Sequence, residues 1–412
     1  MDFDSFSYSD RTVLDQDSQV DEIPATVNKY SAADVWNYLL SFTESDVSNI
    51  STYTTALPSR QQQPRKLKHF KATDFDPTAT RPRIGGGACY SVDKCTLQPP
   101  FGGAIVAVKR LKIFPSSNST SDSMNESIMT ILRELHILTH PPVQQHYNIT
   151  ALLGYSSELT ATTTLRSNAG LLRQRVEISL VVEFGPHGTL SQFLGRHKSD
   201  LVTKSRLLHD IASGLEALHA CGIVQGDVKV ENALVFDDKH APGGYVAKLS
   251  DFGHAIVNVD GEDTVANQER YLGTMLLNAP EVRSQNLLPR DMAAAVERAA
   301  FYKCDVFSYG LLVWEVVLDG ARFLSTLNNN TIEGEYDGEP LAWLDALPKD
   351  DLLRRSLVSL QEKAVGERDE ALIALLRRVM EATLRDMPSE RKMMKDVVDI
   401  FRERKDFRDD AR

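Results

Sequence analysis

The stretch GIVQGDVKVENALV, residues 222–235, sets three polar side chains, Asp227, Lys229 and Asn232, between two apolar flanks. Unpaired polar groups are costly to bury, so an acid, an ammonium and an amide this close together call for a shared task. The residue before the acid is a glycine, Gly226. Downstream, after a strand, the turn-prone DDKHAPGGY and a second strand, AKLSDFGHA supplies Asp251. Two carboxylates and a carboxamide then converge at hairpin ends. That donor set suits Mg²⁺, which keeps several waters and binds one or two carboxylates plus substrate phosphates.

Upstream, IGGGACYSV (84–92) lies between strand patterns, where its backbone amides can approach a phosphate without side-chain obstruction. Three glycines alone mark a hairpin at least as well. Lys109 sits in AIVAVKR, an alternating strand that turns Val106 and Val108 to the opposite face. A lysine on the inner side of a strand needs an anion, and Glu134 is the candidate. It lies in IMTILRELHILTH, whose Ile128, Ile131, Leu132, Leu135 and Leu138 fall on one helical face.

Around these segments the chain divides in two. Residues 82–184 read as a mainly antiparallel sheet with one helix, interrupted by polar stretches at PSSNSTSDSMNES and SELTATTTLRSNAGLLRQR that read as loops. After Gly188 the pattern turns helical, in KSRLLHDIASGLEALHACG, YKCDVFSYGLLVWEVVLDG, EALIALLRRVMEATL and RKMMKDVVDIFRERK. The second of these is apolar nearly all round, which places it at the centre of a domain. Residues 1–77 read as a largely disordered acidic and polar extension, with one short helical pattern in SAADVWNYLLSF and a solvated linker in RKLKHFK. A net charge of −11 gives no overall footprint for nucleic acid or an anionic membrane. Cys89, Cys95, Cys221 and Cys304 are too scattered for a disulfide framework, and no apolar run is long enough to span a bilayer. The expected location is cytoplasmic, with the nucleus as the other possibility.

Taken in order, these segments resemble a eukaryotic protein kinase catalytic domain of the serine/threonine type. IGGGACYSV matches the glycine-rich loop, VAVK the strand lysine, RELHIL the helix glutamate and LVVEFGPHGTL the hinge. QGDVKVEN matches the catalytic loop, and DFG (251–253), GTMLLNAPE (273–281) and CDVFSYG (304–310) follow, with Arg391 in RDMPSER for the arginine that pairs with Glu281. The resemblance implies an α+β, bilobal fold over 78–407, with a small antiparallel β-sheet lobe at 78–184 and a larger helical lobe at 188–407. It implies ATP and Mg²⁺ as cofactors and a protein with Ser/Thr hydroxyls as substrate. Lys109 would hold the phosphates and pair with Glu134, Asn232 and Asp251 would hold the metal, Asp227 would accept the substrate hydroxyl, and Lys229 would contact the γ-phosphate. The nucleotide would lie under Ile84, Gly85, Gly86 and Gly87, with adenine between Val92, Ala107 and Leu234. The backbone of Glu183, Phe184 and Gly185 would face it, with Val182 at the back.

Four positions depart from the family pattern. Gln225 and Gly226 stand where a histidine and an arginine are usual, which removes the residue that receives a phosphorylated activation loop and predicts activation without that modification. Gln225 either loosens the seat of Phe252 or secures it through the hydrogen bonds of its amide. Tyr90 replaces the third glycine of the loop and Leu277 an aromatic residue before APE. Thr264 and Tyr271 are hydroxyls of the activation loop. The alternative function is a pseudokinase scaffold that binds nucleotide or partners without phosphoryl transfer.

Overall fold

The computed structural model describes residues 67–86, 90–111, 121–163, 172–241, 243–257, 271–286, 298–326, 340–364 and 369–407. The first half builds strands β1 (Lys68–Phe70), β2 (Arg83–Gly86), β3 (Tyr90–Thr96) and β4 (Ile105–Leu111), helix α1 (Ser121–Thr139), and strands β5 (Leu152–Thr163) and β6 (Leu172–Glu183). The strands form one sheet in the order β1-β5-β6-β4-β3-β2. Every neighbouring pair is antiparallel except β1 with β5, which is parallel. Because side chains alternate across a strand, Ala107, Leu180 and Val182 face the main core with α1, whereas Val106, Val108 and Val181 face a second apolar cluster.

That second cluster corrects the expected boundary of the polar extension. Phe70 and Phe75 are buried within it beside Phe101, and Leu67 is buried in the main core. RKLKHFK is therefore an edge strand at its C-terminal end, not a solvated linker, and the Lys68 ammonium lies 3.5 Å from the Phe101 ring centroid. The apolar outer face of the sheet supplies the driving force that composition alone concealed. Residues 1–66, including SAADVWNYLLSF, lie outside the described residues.

Two expected loops are also regular structure. Helix α1 begins at Ser121, inside the polar segment. Most of SELTATTTLRSNAGLLRQR continues β5 and β6 as a long hairpin in register from Glu158↔Glu177 to Thr163↔Leu172. Its Thr residues favour the extended chain, and antiparallel pairing of the two arms outweighs their polarity.

Past the connection at Phe184–Gly188 the chain forms α2 (Leu190–Arg196), α3 (Leu201–Ala220) and the hairpin β7 (Ala233–Asp237) and β8 (Tyr245–Leu249). Then come α4 (Pro280–Asn286), α5 (Arg298–Val317), α6 (Asp351–Lys363), α7 (Glu370–Thr383) and α8 (Met394–Arg402). The Asp200 carboxylate caps α3 by accepting from the Thr203 amide at 2.8 Å. Leu207, Leu208, Ile211, Leu215 and Leu218 are buried as their spacing predicts, and Gly222 at φ 71° ends the helix. Helix α5 is the central axis of this lobe: Phe307, Leu311 and Trp314 are fully buried, and it packs on α3, α6 and α7. The protein is bilobal, a mixed sheet with one long helix above a helical lobe. No helix among the described residues is long and apolar enough to cross a membrane.

Candidate active site

The opening stretch crosses the gap between α3 and β7, where a pair of backbone hydrogen bonds joins Val224 to Ile256, each near 2.9 Å. This bridge brings the catalytic-loop segment alongside the segment that carries Asp251. Asp227, 7% exposed, is held from three sides. The Thr274 hydroxyl donates to its Oδ1 at 2.7 Å, the Lys229 ammonium is 2.6 Å from its Oδ2, and the Asn232 amide donates to Oδ2 at 3.0 Å. The Lys229 Nζ also reaches the Thr274 hydroxyl at 2.8 Å, which closes the ring. These contacts restrain the carboxylate in one orientation.

Lys109 on β4 stands opposite Val92 of β3 in the sheet register, and its Nζ lies 2.5 Å from Glu134 Oε1 and 3.7 Å from Asp251 Oδ1. Burial works against the charge of Lys109, but the carboxylates of Glu134 and Asp251 overcome it and hold the ammonium charged above the usual lysine range. The same ammonium draws the Asp251 carboxyl below its ordinary value against the opposing effect of burial. Glu134 is 2% exposed, and burial, seconded by the Asp251 charge, raises its carboxyl above the ordinary range against the pull of the Lys109 ammonium. Arg133 ties α1 to the segment after Asp251 by donating to the Gly253 carbonyl at 3.0 Å.

Asn232 and Asp251 fit a divalent cation. The Asn232 amide nitrogen is committed to the carbonyl and the carboxylate of Asp227, at 2.8 and 3.0 Å, so Oδ1 is the atom it would offer a cation. Asp251 adds a carboxylate that is half exposed toward solvent and sits at φ 60°, a strained backbone angle for a residue with a side chain. Two hard oxygen donors with room for waters and phosphates match what Mg²⁺ takes from a protein. Among the described residues there is no cluster of three His, Cys, Asp or Glu to form a self-sufficient metal cage.

The apolar side chains expected to flank adenine follow the sheet register. Ala107 pairs with Val182, both are buried, and Val92 packs beside them. Leu234 comes from β7 below, within 3.2 Å of where a Cβ on Gly185 would lie, so glycine permits the close approach. The Glu183 side chain is turned to other business: its Oε1 accepts from the Ala151 amide at 2.7 Å and its Oε2 from Lys248 at 2.8 Å. The Glu183 side chain is thus committed away from a ligand, and its backbone amide is paired with the Ala151 carbonyl at 3.0 Å. Ile84, Gly85 and Gly86 are exposed on β2, and Gly87 lies outside the described residues.

Gln225 settles the choice left open by its amide. It is fully buried and donates from Nε2 to the carbonyls of Asp251 at 3.0 Å and Ser250 at 3.3 Å, above a fully buried Phe252. Sequence reading missed the part played by Asp305. This buried carboxylate on α5 accepts from the amides of Gln225 (2.7 Å) and Gly226 (3.0 Å) and from Tyr271 Oη (2.9 Å), with His219 Nε2 at 2.9 Å. A lone acid in the apolar run CDVFSYGLLVW was the signal, since a buried charge requires partners. Thr274 was missed for a different reason: nothing local indicates that its hydroxyl reaches Asp227. Farther out, Arg391 makes a two-pronged pair with Glu281, at 2.6 and 2.8 Å, beneath the segment that ends in APE.

A family model described as the protein kinase domain matches residues 79–399. Among curated relatives, the chain is similar to a probable receptor-like protein kinase of Arabidopsis thaliana, 28% identical over 324 residues, which is 77% of this chain and 33% of the relative. It is 27% identical over 286 residues to a probable serine/threonine-protein kinase of Dictyostelium discoideum, 69% of this chain and 45% of the relative. A leaf rust 10 disease-resistance locus receptor-like protein kinase-like protein of Arabidopsis thaliana is 30% identical over 254 residues, covering 60% of this chain and 33% of the relative. The chain thus spans less than half the length of each of these relatives.

Proposed function

The chain belongs to the protein kinase family, and from that premise we propose that it is an active enzyme, transferring the γ-phosphoryl group of ATP to serine or threonine hydroxyls of protein substrates. The observation that carries this reading is the restraint of Asp227 by Thr274, Lys229 and Asn232, opposite a closed Lys109–Glu134 pair. Asp227 accepts the hydrogen bond of the substrate hydroxyl and orients its oxygen. Lys109 binds phosphate oxygens, and Lys229 stands beside Asp227 to meet negative charge on the group being transferred. Mg²⁺, held by Asn232 and Asp251, would neutralise the phosphates during transfer. The backbone at Glu183–Gly185 and the apolar walls at Val92, Ala107 and Leu234 orient the adenine. The Ser/Thr assignment is supported by Lys229 and by the names of relatives.

One observation favours the scaffold reading. The Tyr90 ring, where the family has a small glycine, is buried with its centroid 4.5 Å from the Lys109 ammonium and competes for the space above it. Purified full-length protein with labelled ATP, Mg²⁺ and a generic basic protein substrate decides between them. Active wild type with Asp227→Asn and Lys109→Met each reduced by about a hundredfold or more supports the enzyme. Absence of transfer together with absence of a thermal shift on adding Mg-ATP rejects it, and phosphotyrosine as the sole product rejects the Ser/Thr assignment.

A further inference from the structure

Gly226 offers no cation to an activation-loop phosphate, yet residues 271–278 are closely tied to the catalytic loop. We infer that Tyr271 is the positioning residue responsible: its hydroxyl bond to Asp305 holds the activation segment where Thr274 meets Asp227, in place of a phosphate–arginine contact.

Tyr271 is 1% exposed and donates to Asp305 Oδ1 at 2.9 Å, with Ser308 Oγ at 3.5 Å. The other contacts of Asp305 are the Gln225 and Gly226 amides and His219. One carboxylate on the rigid α5 axis therefore joins the activation segment to the catalytic loop directly. A carboxylate has about four acceptor sites, so the four donors leave little room for another arrangement. Burial and the Asp305 charge raise the phenol well above its ordinary pKa, which keeps it a donor.

From Tyr271 the chain is short and closed. Gly273 takes φ 46°, and a Cβ there would fall 2.9 Å from the Gly226 carbonyl oxygen. The Asn278 amide donates back to the Leu272 carbonyl at 2.9 Å, and the Ser308 hydroxyl to the Leu277 carbonyl at 2.8 Å. Thr274, between these fixed points, is delivered to Asp227. Tyr271 is thereby an anchor and, in this arrangement, its hydroxyl is closed to modification.

The inference rests on the reading of the chain as an active kinase, and the test separates the two. Full-length wild type and Tyr271→Phe are compared in steady-state kinetics with Mg-ATP and the basic protein substrate, before and after phosphatase treatment, and in hydrogen exchange. The expected result is a fall in kcat of about tenfold with KM for ATP within about twofold, since a hydrogen bond to a buried charge is lost away from the nucleotide. Amides of 272–278 exchange about tenfold faster in the variant while those of α3 and α7 keep their rates. Phosphatase-treated wild type retains its activity. A variant with wild-type kcat and local exchange overturns the anchor, even if its melting temperature falls, and loss of wild-type activity on phosphatase treatment overturns the replacement of phosphate. Wild type without activity removes the kinase reading, and the exchange measurement then decides the anchor alone.

Discussion

A side chain at position 226 would place its Cβ 2.2 Å from the His254 carbonyl oxygen, and the backbone there has φ 74°. Glycine is required on both counts, because L residues rarely adopt that angle and the oxygen belongs to backbone. Gly226→Ala is expected to destabilise the protein by about 1–3 kcal/mol. Under the proposed activity it should also lower kcat, since relief of the clash displaces the segment that carries Asp227. Thermal melts and the transfer assay check both, and an alanine variant as stable and active as wild type refutes the requirement. The membership of the cluster was legible at this scale: Asp227, Asn232 and Asp251 were singled out by residue type and spacing and Lys109 by its place on a strand, and these side chains do lie together. What was not legible was the donor side, because the contact of Thr274 with Asp227 and of Gln225 with Asp251 depends on segments 47 and 26 residues away meeting in space.

At the scale of elements, the link between α4 and the segment before α8 stands out. Arg391 is buried and bound to both oxygens of Glu281, and it also donates to the carbonyls of Arg385, Lys303 and Asp386. Removing one partner leaves the other charge in a dry setting. Glu281→Ala is expected to cost about 3–5 kcal/mol, read as a lower midpoint in urea. A cost near zero would show that the pair is surface-like. The sequence reading placed α3, α5, α7 and α8 from their apolar periodicity, and these are the elements whose cores dominate their own patterns. It lost the first turns of α1 and the far end of the β5–β6 hairpin, where polar residues are ordered by pairing or by continuation of a neighbouring element, a cause that local composition does not carry.

For the whole molecule, pH reaches the core through Glu315 on α5. Burial, reinforced by Glu231 and partly offset by Arg322, raises its carboxyl from 4.5 to about 7. The folded state thus favours the neutral acid. Its contribution to stability is complete below about pH 4.5 and is lost as pH rises through about 7, by up to about 3 kcal/mol. Glu315→Gln cannot ionise, so its stability should fall less than that of wild type between pH 5 and 8 in denaturant titrations, on the order of 1–3 kcal/mol. Parallel pH profiles for the two proteins would refute the effect. Bilobal architecture was readable from the switch between period-two and helical patterns near Gly188. The start of the folded unit was not, because the few apolar residues at 67–75 sit in a polar neighbourhood and show their worth only against the outer face of the sheet.

That outer face has a practical side. The family match begins at residue 79, and a recombinant protein cut there would lack Leu67, Phe70 and Phe75. Val106, Val108, Val181 and Phe101 would then be open to water on one side of an otherwise intact lobe. Such a protein should come out of cells in inclusion bodies or as soluble aggregates, whereas one begun at residue 60 should elute as a well-behaved species.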